Sequence, residues 1–312
     1  MTVTGPLPAD DLGVTDAHDH LHLRSPLLAG DEIDDPSAIT TEVRDGARSG
    51  LAAIVELTPI GLGRRPDVLR AVSQATGVHI VGATGYHRDA HYPAGHWVLT
   101  APEAVLLERM TTDLLVGMHP TDWSDADAEL DPARAGVIKA GASLNKISAN
   151  ERRRLVCAAA AARATGVAVV VHTEAATCAM EITDLLVGEG LPVEQIILAH
   201  VDRNPDPALH LELLARGVFL VYDTIGRAKY FPDSVRIELI EAVCAAGHGD
   251  QILLGLDIGR ASYLAVNGGW GIRHLMSDFV PALRERVGED AVLRMLVANA
   301  ASAFALRAAV AA

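Results

Sequence analysis

Six side chains suited to binding cations stand at matching places along this chain: His18, His20, Lys139, His172, His200 and Asp257, all but His20 closing a short apolar run. Imidazole and carboxylate are the usual ligands of zinc and suit related divalent ions. Side chains alternate across a strand with period two, so His18 and His20 point the same way. Lys139 is the odd member, because an ammonium beside cations is repelled and a lone lysine buried at a strand end carries a heavy desolvation cost. Reaction of its amine with carbon dioxide removes the conflict, since a carbamate is anionic and its two oxygens can bridge two metals. Taken singly, a histidine ending a strand is more often a satisfied core residue, and an aspartate a cap or turn former. Five such strand ends in one chain are hard to explain by packing and are what a metal centre requires.

The elements that would position these residues follow a regular rhythm. Eight β-rich runs alternate with helical patterns: Val14 to His18, Ala52 to Leu57, Val78 to Thr84, Ala135 to Lys139, Val167 to His172, Gln195 to His200, Val218 to Asp223 and Ile252 to Asp257. Most are continuous Val, Ile, Leu and Ala, as expected of parallel strands covered on both faces. Eight of them predict a closed (β/α)8 TIM barrel, in which the carboxyl ends of the strands converge on one catalytic face. Between runs the punctuation is helical: Ser148 caps a helix to Thr165, Glu151 completes a capping box and Gly166 stops it. The stretch Tyr86 to Thr100 is the longest excursion after a strand and is expected to shape a pocket. No linker or change of composition divides the chain, so residues 1–312 read as a single domain.

A formal charge of −14 argues against nucleic acid and anionic membranes as partners. Cys157, Cys178 and Cys244 are too few and too scattered for a disulfide framework or a thiolate site, and read as small core residues in a reducing compartment. No basic start with an apolar run is seen, nor a stretch long enough to span a bilayer, and the reading is of a soluble cytoplasmic protein. Glu56 and Asp223, which also close runs, read as supports behind the ligands or as strand-end structural groups. His79 reads as structural, and His119, His210, His248 and His274 as surface residues.

With these residues in view, the chain resembles the phosphotriesterase family of the amidohydrolase superfamily over almost its full length. The matching stretches are Gly5-Pro6-Leu7 leading to His18-Asp19-His20-Leu21, Ala83-Thr84-Gly85-Tyr86, Arg134 to Lys139, Val171-His172-Thr173, Ala199-His200-Val201-Asp202 and Leu254-Gly255-Leu256-Asp257. The resemblance implies that His18, His20 and Asp257 hold the more buried metal and His172 and His200 the second. Lys139, as N6-carboxylysine, bridges both together with a hydroxide. The metals are expected to be zinc, with manganese or cobalt as alternatives. His200 to Asp206, Tyr222 to Tyr230 and Arg260 look like the sugar and phosphosugar lactonase branch. Phosphotriesterases proper carry a proton-relaying histidine after strand seven, where this chain has Asp223 and Thr224. Near the end, Asn299-Ala300-Ala301-Ser302 replaces the common Asn-Pro-Ala-Arg.

The expected activity is thus hydrolysis of a small-molecule ester or lactone, most closely a sugar or phosphosugar lactone, by attack of the bridging hydroxide. In this reading Asp257 accepts the proton and passes it to the leaving alkoxide. Tyr86, at the mouth of strand three, assists the oxyanion. Arg227, Lys229 and Arg260 clamp a phosphate or carboxylate, unless they pair with Asp223, Asp233 or Asp202 as ordinary salt bridges. Three alternatives stay open: a phosphotriesterase, an amidase or deacylase with the same metals, and a non-catalytic small-molecule binding protein. A homodimer is compatible with the sequence.

Overall fold

Strands made of uninterrupted Val, Ile, Leu and Ala must be covered on both faces, and here they are. The computed structural model describes residues 1–125 and 127–309. Eight parallel strands lie in sequence order, each hydrogen-bonded to the next: β1 (Thr15–Asp19), β2 (Ala53–Glu56), β3 (His79–Gly85), β4 (Val137–Gly141), β5 (Val169–His172), β6 (Ile196–Ala199), β7 (Phe219–Tyr222) and β8 (Ile252–Leu254). The ring closes through the amides of Leu256 and Asp257, which donate to the carbonyl of His18 at 3.2 and 2.8 Å. This is the (β/α)8 barrel that the sequence predicts.

Two apolar layers hold it together. Val55, Val81, Val137, Val170, Ile197, Val221 and Leu253 fill the interior of the ring. Ile54, Ile80, Ile138, Val171, Leu198, Leu220 and Leu254 face the surrounding helices. The alternation sets which residue at each strand end turns inward, and so it decides which ones reach the site. Helix boundaries follow the capping chemistry of the sequence. Ser148 and Glu151 form a complete capping box on the helix Ala149–Thr165, and Gly166 ends it at φ 78°. Asp35 and Asp206 cap the helices Pro36–Arg48 and Pro207–Ala215, each with proline in the first turn. At Gly85 (φ 98°) a Cβ would lie 2.1 Å from the carbonyl oxygen of Lys139, so only glycine lets β3 approach β4 there.

The strand ends differ from those expected. β6 stops at Ala199, and His200 follows it with φ 63°; β8 stops at Leu254, and Asp257 lies beyond it with φ 48°. Lys139 sits within β4, which continues to Gly141. Pairing of β1 with β2 shifts register between Asp16 and Asp19, the segment that carries His18.

His119 and His210, expected at the surface, are instead fully buried. His119 Nδ1 accepts the amide of Trp123 at 2.9 Å and so shapes a turn. His210 Nδ1 lies 2.7 Å from the Tyr222 hydroxyl, and its Nε2 lies 2.8 Å from the Asn204 carbonyl. Cys157 is a buried free thiol, while Cys178 and Cys244 are free and only half-buried. Among the described residues no helix is long and apolar enough to cross a membrane.

Candidate metal centre

Asp223, just past β7, organises the floor of the site. Its Oδ2 accepts from His18 Nδ1 at 2.6 Å and its Oδ1 from His200 Nδ1 at 2.8 Å. One carboxylate thereby fixes the proton on Nδ1 of both rings and leaves both Nε2 lone pairs free for a cation. His20 Nδ1 is 2.9 Å from the Thr58 hydroxyl, while its Nε2 lies 3.2 Å from Asp257 Oδ1. His18 Nε2 is 3.5 Å from the same oxygen and 3.1 Å from Lys139 Nζ. Ligand atoms of His18, His200 and Asp257 all lie within 4.8 Å of one another. His172 joins them edge-on to His200, with ring centroids 4.5 Å apart. All six predicted donors are buried.

The protonation states suit a cation. Burial drives His18 and His200 well below the ordinary histidine value and His172 to about 4, so these imidazoles are neutral. Burial also pulls the Lys139 ammonium down to about 8, which leaves part of it as a nucleophilic free amine near neutrality. Burial alone would raise Asp257, but the guanidinium of Arg227, with His200 and His18, holds it well below the usual carboxylate range. Asp257 Oδ2 receives Arg227 Nη1 at 2.8 Å and Arg203 Nη2 at 3.3 Å. Four imidazoles, an ionised carboxylate and a partly deprotonated lysine amine among them thus form a donor set that fits divalent ions.

Above this floor a cavity opens at the carboxyl ends of the strands. Arg88, Lys139, Arg203, Arg227, Lys229 and Arg260 line it, against the carboxylates Glu174 and Asp257. Of the predicted substrate cations, Arg260 pairs with Asp31 at 3.2 Å. Lys229 lies over the Tyr230 ring, 4.8 Å from its centroid, with no carboxylate partner among the described residues. None of the three pairs with Asp223, Asp233 or Asp202. Asp233 and Asp202 serve Arg236 instead, at 3.0 and 2.9 Å.

Tyr86 is not part of this cavity. Its ring turns outward among the helices, its hydroxyl donates to the Leu106 carbonyl at 3.1 Å, and it is 1 % exposed. The expected oxyanion role for Tyr86 is therefore corrected. The excursion that begins there does shape the pocket, through His87, Arg88 and His91.

The sequence reading missed Arg88, Glu174 and Arg203. Glu174 binds His172, Arg88 and Arg203. Burial opposes its ionisation, but the bond to His172 and the two arginines hold its carboxyl down at about 2. The available signal was position, since Glu174 and Arg203 stand two and three residues beyond His172 and His200.

A (β/α)8 barrel with clustered imidazoles and carboxylates at the carboxyl ends of its strands defines a barrel of the metal-dependent class. The sequence profile of the phosphotriesterase family matches residues 1–304, and the chain belongs to that family, whose members use a binuclear metal centre. It is 30% identical over 283 residues to the phosphotriesterase homology protein of Escherichia coli, spanning 88% of this chain and 92% of that one. It is 29% identical over 316 residues to a phospho-furanose lactonase of Mycoplasmopsis synoviae, spanning 96% and 89%. Among solved structures, a lactonase from Listeria monocytogenes superposes with a TM-score of 0.91 at 27% identity, covering 98% of this chain and 99% of the other.

Proposed function

We propose that this chain is a lactone hydrolase whose substrate carries a phosphate, and that residues 1–312 act as one catalytic domain. His18, His20 and Asp257 would hold one divalent ion and His172 and His200 a second, with Lys139 bridging them as N6-carboxylysine; zinc is the first candidate, then manganese or cobalt. When bound, such ions supply hydroxide near neutral pH and polarise the electrophile. The remaining chemistry belongs to the chain. Asp257, ionised beside Arg227, takes a proton from the attacking water and returns it to the alkoxide that leaves when the ring C–O bond breaks. The observation that carries the reading is the charge of the cavity: even with Lys139 as a carbamate, five basic side chains, Arg88, Arg203, Arg227, Lys229 and Arg260, face the carboxylates Glu174 and Asp257 in a protein of net charge −14. Such a local reversal of sign concentrates an anionic substrate. Among the described residues Lys229 has no carboxylate partner, which makes it the first contact for a phosphate, with Arg227 and Arg260 behind it. The kinship with a phospho-furanose lactonase supports the same substrate class.

The test is a hydrolysis screen of the metal-reconstituted protein. It compares sugar lactones with and without a phosphate, paraoxon, and N-acyl amines. The reading expects phosphorylated lactones to lead in kcat/KM and Lys229→Ala to erase most of that lead. Faster turnover of paraoxon or of an amide, or equal rates for the two lactone forms, would overturn it.

A further inference from the structure

We infer that His87 is the hydrogen-bond donor to the substrate's reacting carbonyl oxygen, through its Nε2–H; the inference rests on the ester or lactone chemistry proposed above. The residue follows from the strand. Val81 and Ala83 face the barrel interior, whereas Ile80 and Tyr86 belong to the outer layer. The amide of Tyr86 bonds the Lys139 carbonyl at 2.9 Å, so the chain stays against β4 past Gly85, whose φ is 98°. Tyr86 turns out among the helices, and the next residue, His87, lines the cavity.

Its ring is held as a fixed donor. The His87 amide donates to the Tyr92 hydroxyl at 2.9 Å, and that hydroxyl in turn donates to the Ile60 carbonyl at 2.9 Å. His87 Nδ1 accepts the Arg88 amide at 2.8 Å, so in the neutral ring the proton sits on Nε2. Ring contacts with His91 (3.9 Å between centroids) and His172 (4.7 Å) set its plane. Among the described residues, His87 Nε2 has no protein partner and is not a buried orphan, so it opens to the cavity.

The donors flanking the proposed metal ligands are committed. His172 Nε2 faces Glu174 at 3.2 Å, and Arg203 and Arg227 bind Asp257. His91 lies on His87 and has no ring contact with His172 among the described residues. A neutral donor beside a proposed metal ligand suits an oxygen that gains charge only as the tetrahedral adduct forms, whereas the cations beyond β7 and β8 suit an anion charged throughout. No proton leaves His87; the hydrogen bond shortens as the carbonyl oxygen becomes an oxyanion.

His87→Phe keeps a ring between His91 and His172 and removes the donor, while His87→Gln keeps an N–H near the position of Nε2. On the best lactone of the screen, kcat of the Phe variant should fall by about a hundredfold, with KM and metal content close to the parent's. The Gln variant should recover to within about tenfold of the parent. A Phe variant within threefold of the parent, or a loss that tracks loss of metal in both variants, would overturn the assignment. Should the Phe variant fail to fold, His87→Asn, whose N–H lies on the wrong side, takes its place with the same expectation. A parent inactive on every lactone and ester would sink the proposed function, and this inference with it. An active parent matched by its donor-free variant would sink the inference alone.

Discussion

Each oxygen of Asp223 serves a different imidazole, so one carboxylate presets two ligands that lie on β1 and beyond β6. Asp223→Ala should lower metal affinity by about 10–100-fold with little loss of fold, read by competition with a chromophoric chelator. Lys139→Ala should lose at least about one metal per chain and nearly all activity, with partial recovery in short carboxylates such as propionate; full metal content in that variant would refute the bridging role. His91 gives a test of electrostatics apart from the ligands. Burial holds it at about 3, against an ordinary value of 6.5. In the unfolded chain it takes up a proton as pH falls below that ordinary value, and in the folded chain it does not, so its contribution to stability is lost on acidification. His91→Gln should therefore gain stability relative to the parent by about 2 kcal/mol between pH 7.5 and pH 5, measured as the difference of two denaturation series. At this scale five of the six proposed metal donors were legible because each ends an apolar run, and His20 because it stands two residues beyond His18. The inward residue of the Tyr86–His87 pair was not, because it depends on which residues of β3 face inward, and the run alone does not reveal that.

One helix cap also braces the loop that shapes the pocket. Ser148 Oγ receives the Glu151 amide at 3.1 Å and donates to Asp89 at 2.6 Å, so the cap of the helix Ala149–Thr165 also ties down the excursion after β3. Ser148→Ala should cost about 1 kcal/mol in a urea melt and raise KM more than it lowers kcat. Insensitivity of KM would show that the cap serves the helix alone. The cap itself was readable from Ser148, Glu151 and Gly166, and all eight strands from their composition. What the sequence left hidden were the places where the chain leaves β geometry. His200 and Asp257 are directed into the site by left-handed backbone, which non-glycine residues adopt only where the surroundings enforce it. His119 and His210 looked superficial because they fall in turn and helix contexts, yet His119 Nδ1 accepts the Trp123 amide and the His210 ring engages the Tyr222 hydroxyl and the Asn204 carbonyl.

Over the whole molecule, the donors of the centre come from β1, β4, β5 and the segments after β6 and β8, so cations bound there would cross-link the ring. Because the unfolded chain cannot present that set, metal should raise the melting temperature. At a hundredfold excess over the dissociation constant the gain is about 2.7 kcal/mol, or roughly 4 °C for a chain of this length. Removing metal with a chelator and adding it back, followed by calorimetry, checks this; equal melting of both forms would count against a preformed centre. Under the proposed function, the same convergence would couple recognition to chemistry. Arg227 belongs to the loop after β7 that carries Lys229, and it also grips Asp257. On the proposed reading, substrate preference in this barrel is not an exchangeable module: a loop transplanted from another scaffold without that arginine would alter Asp257, the proposed acid–base residue, along with the pocket, so a lineage or an engineer changing the diet of the enzyme would have to retune its chemistry in the same step.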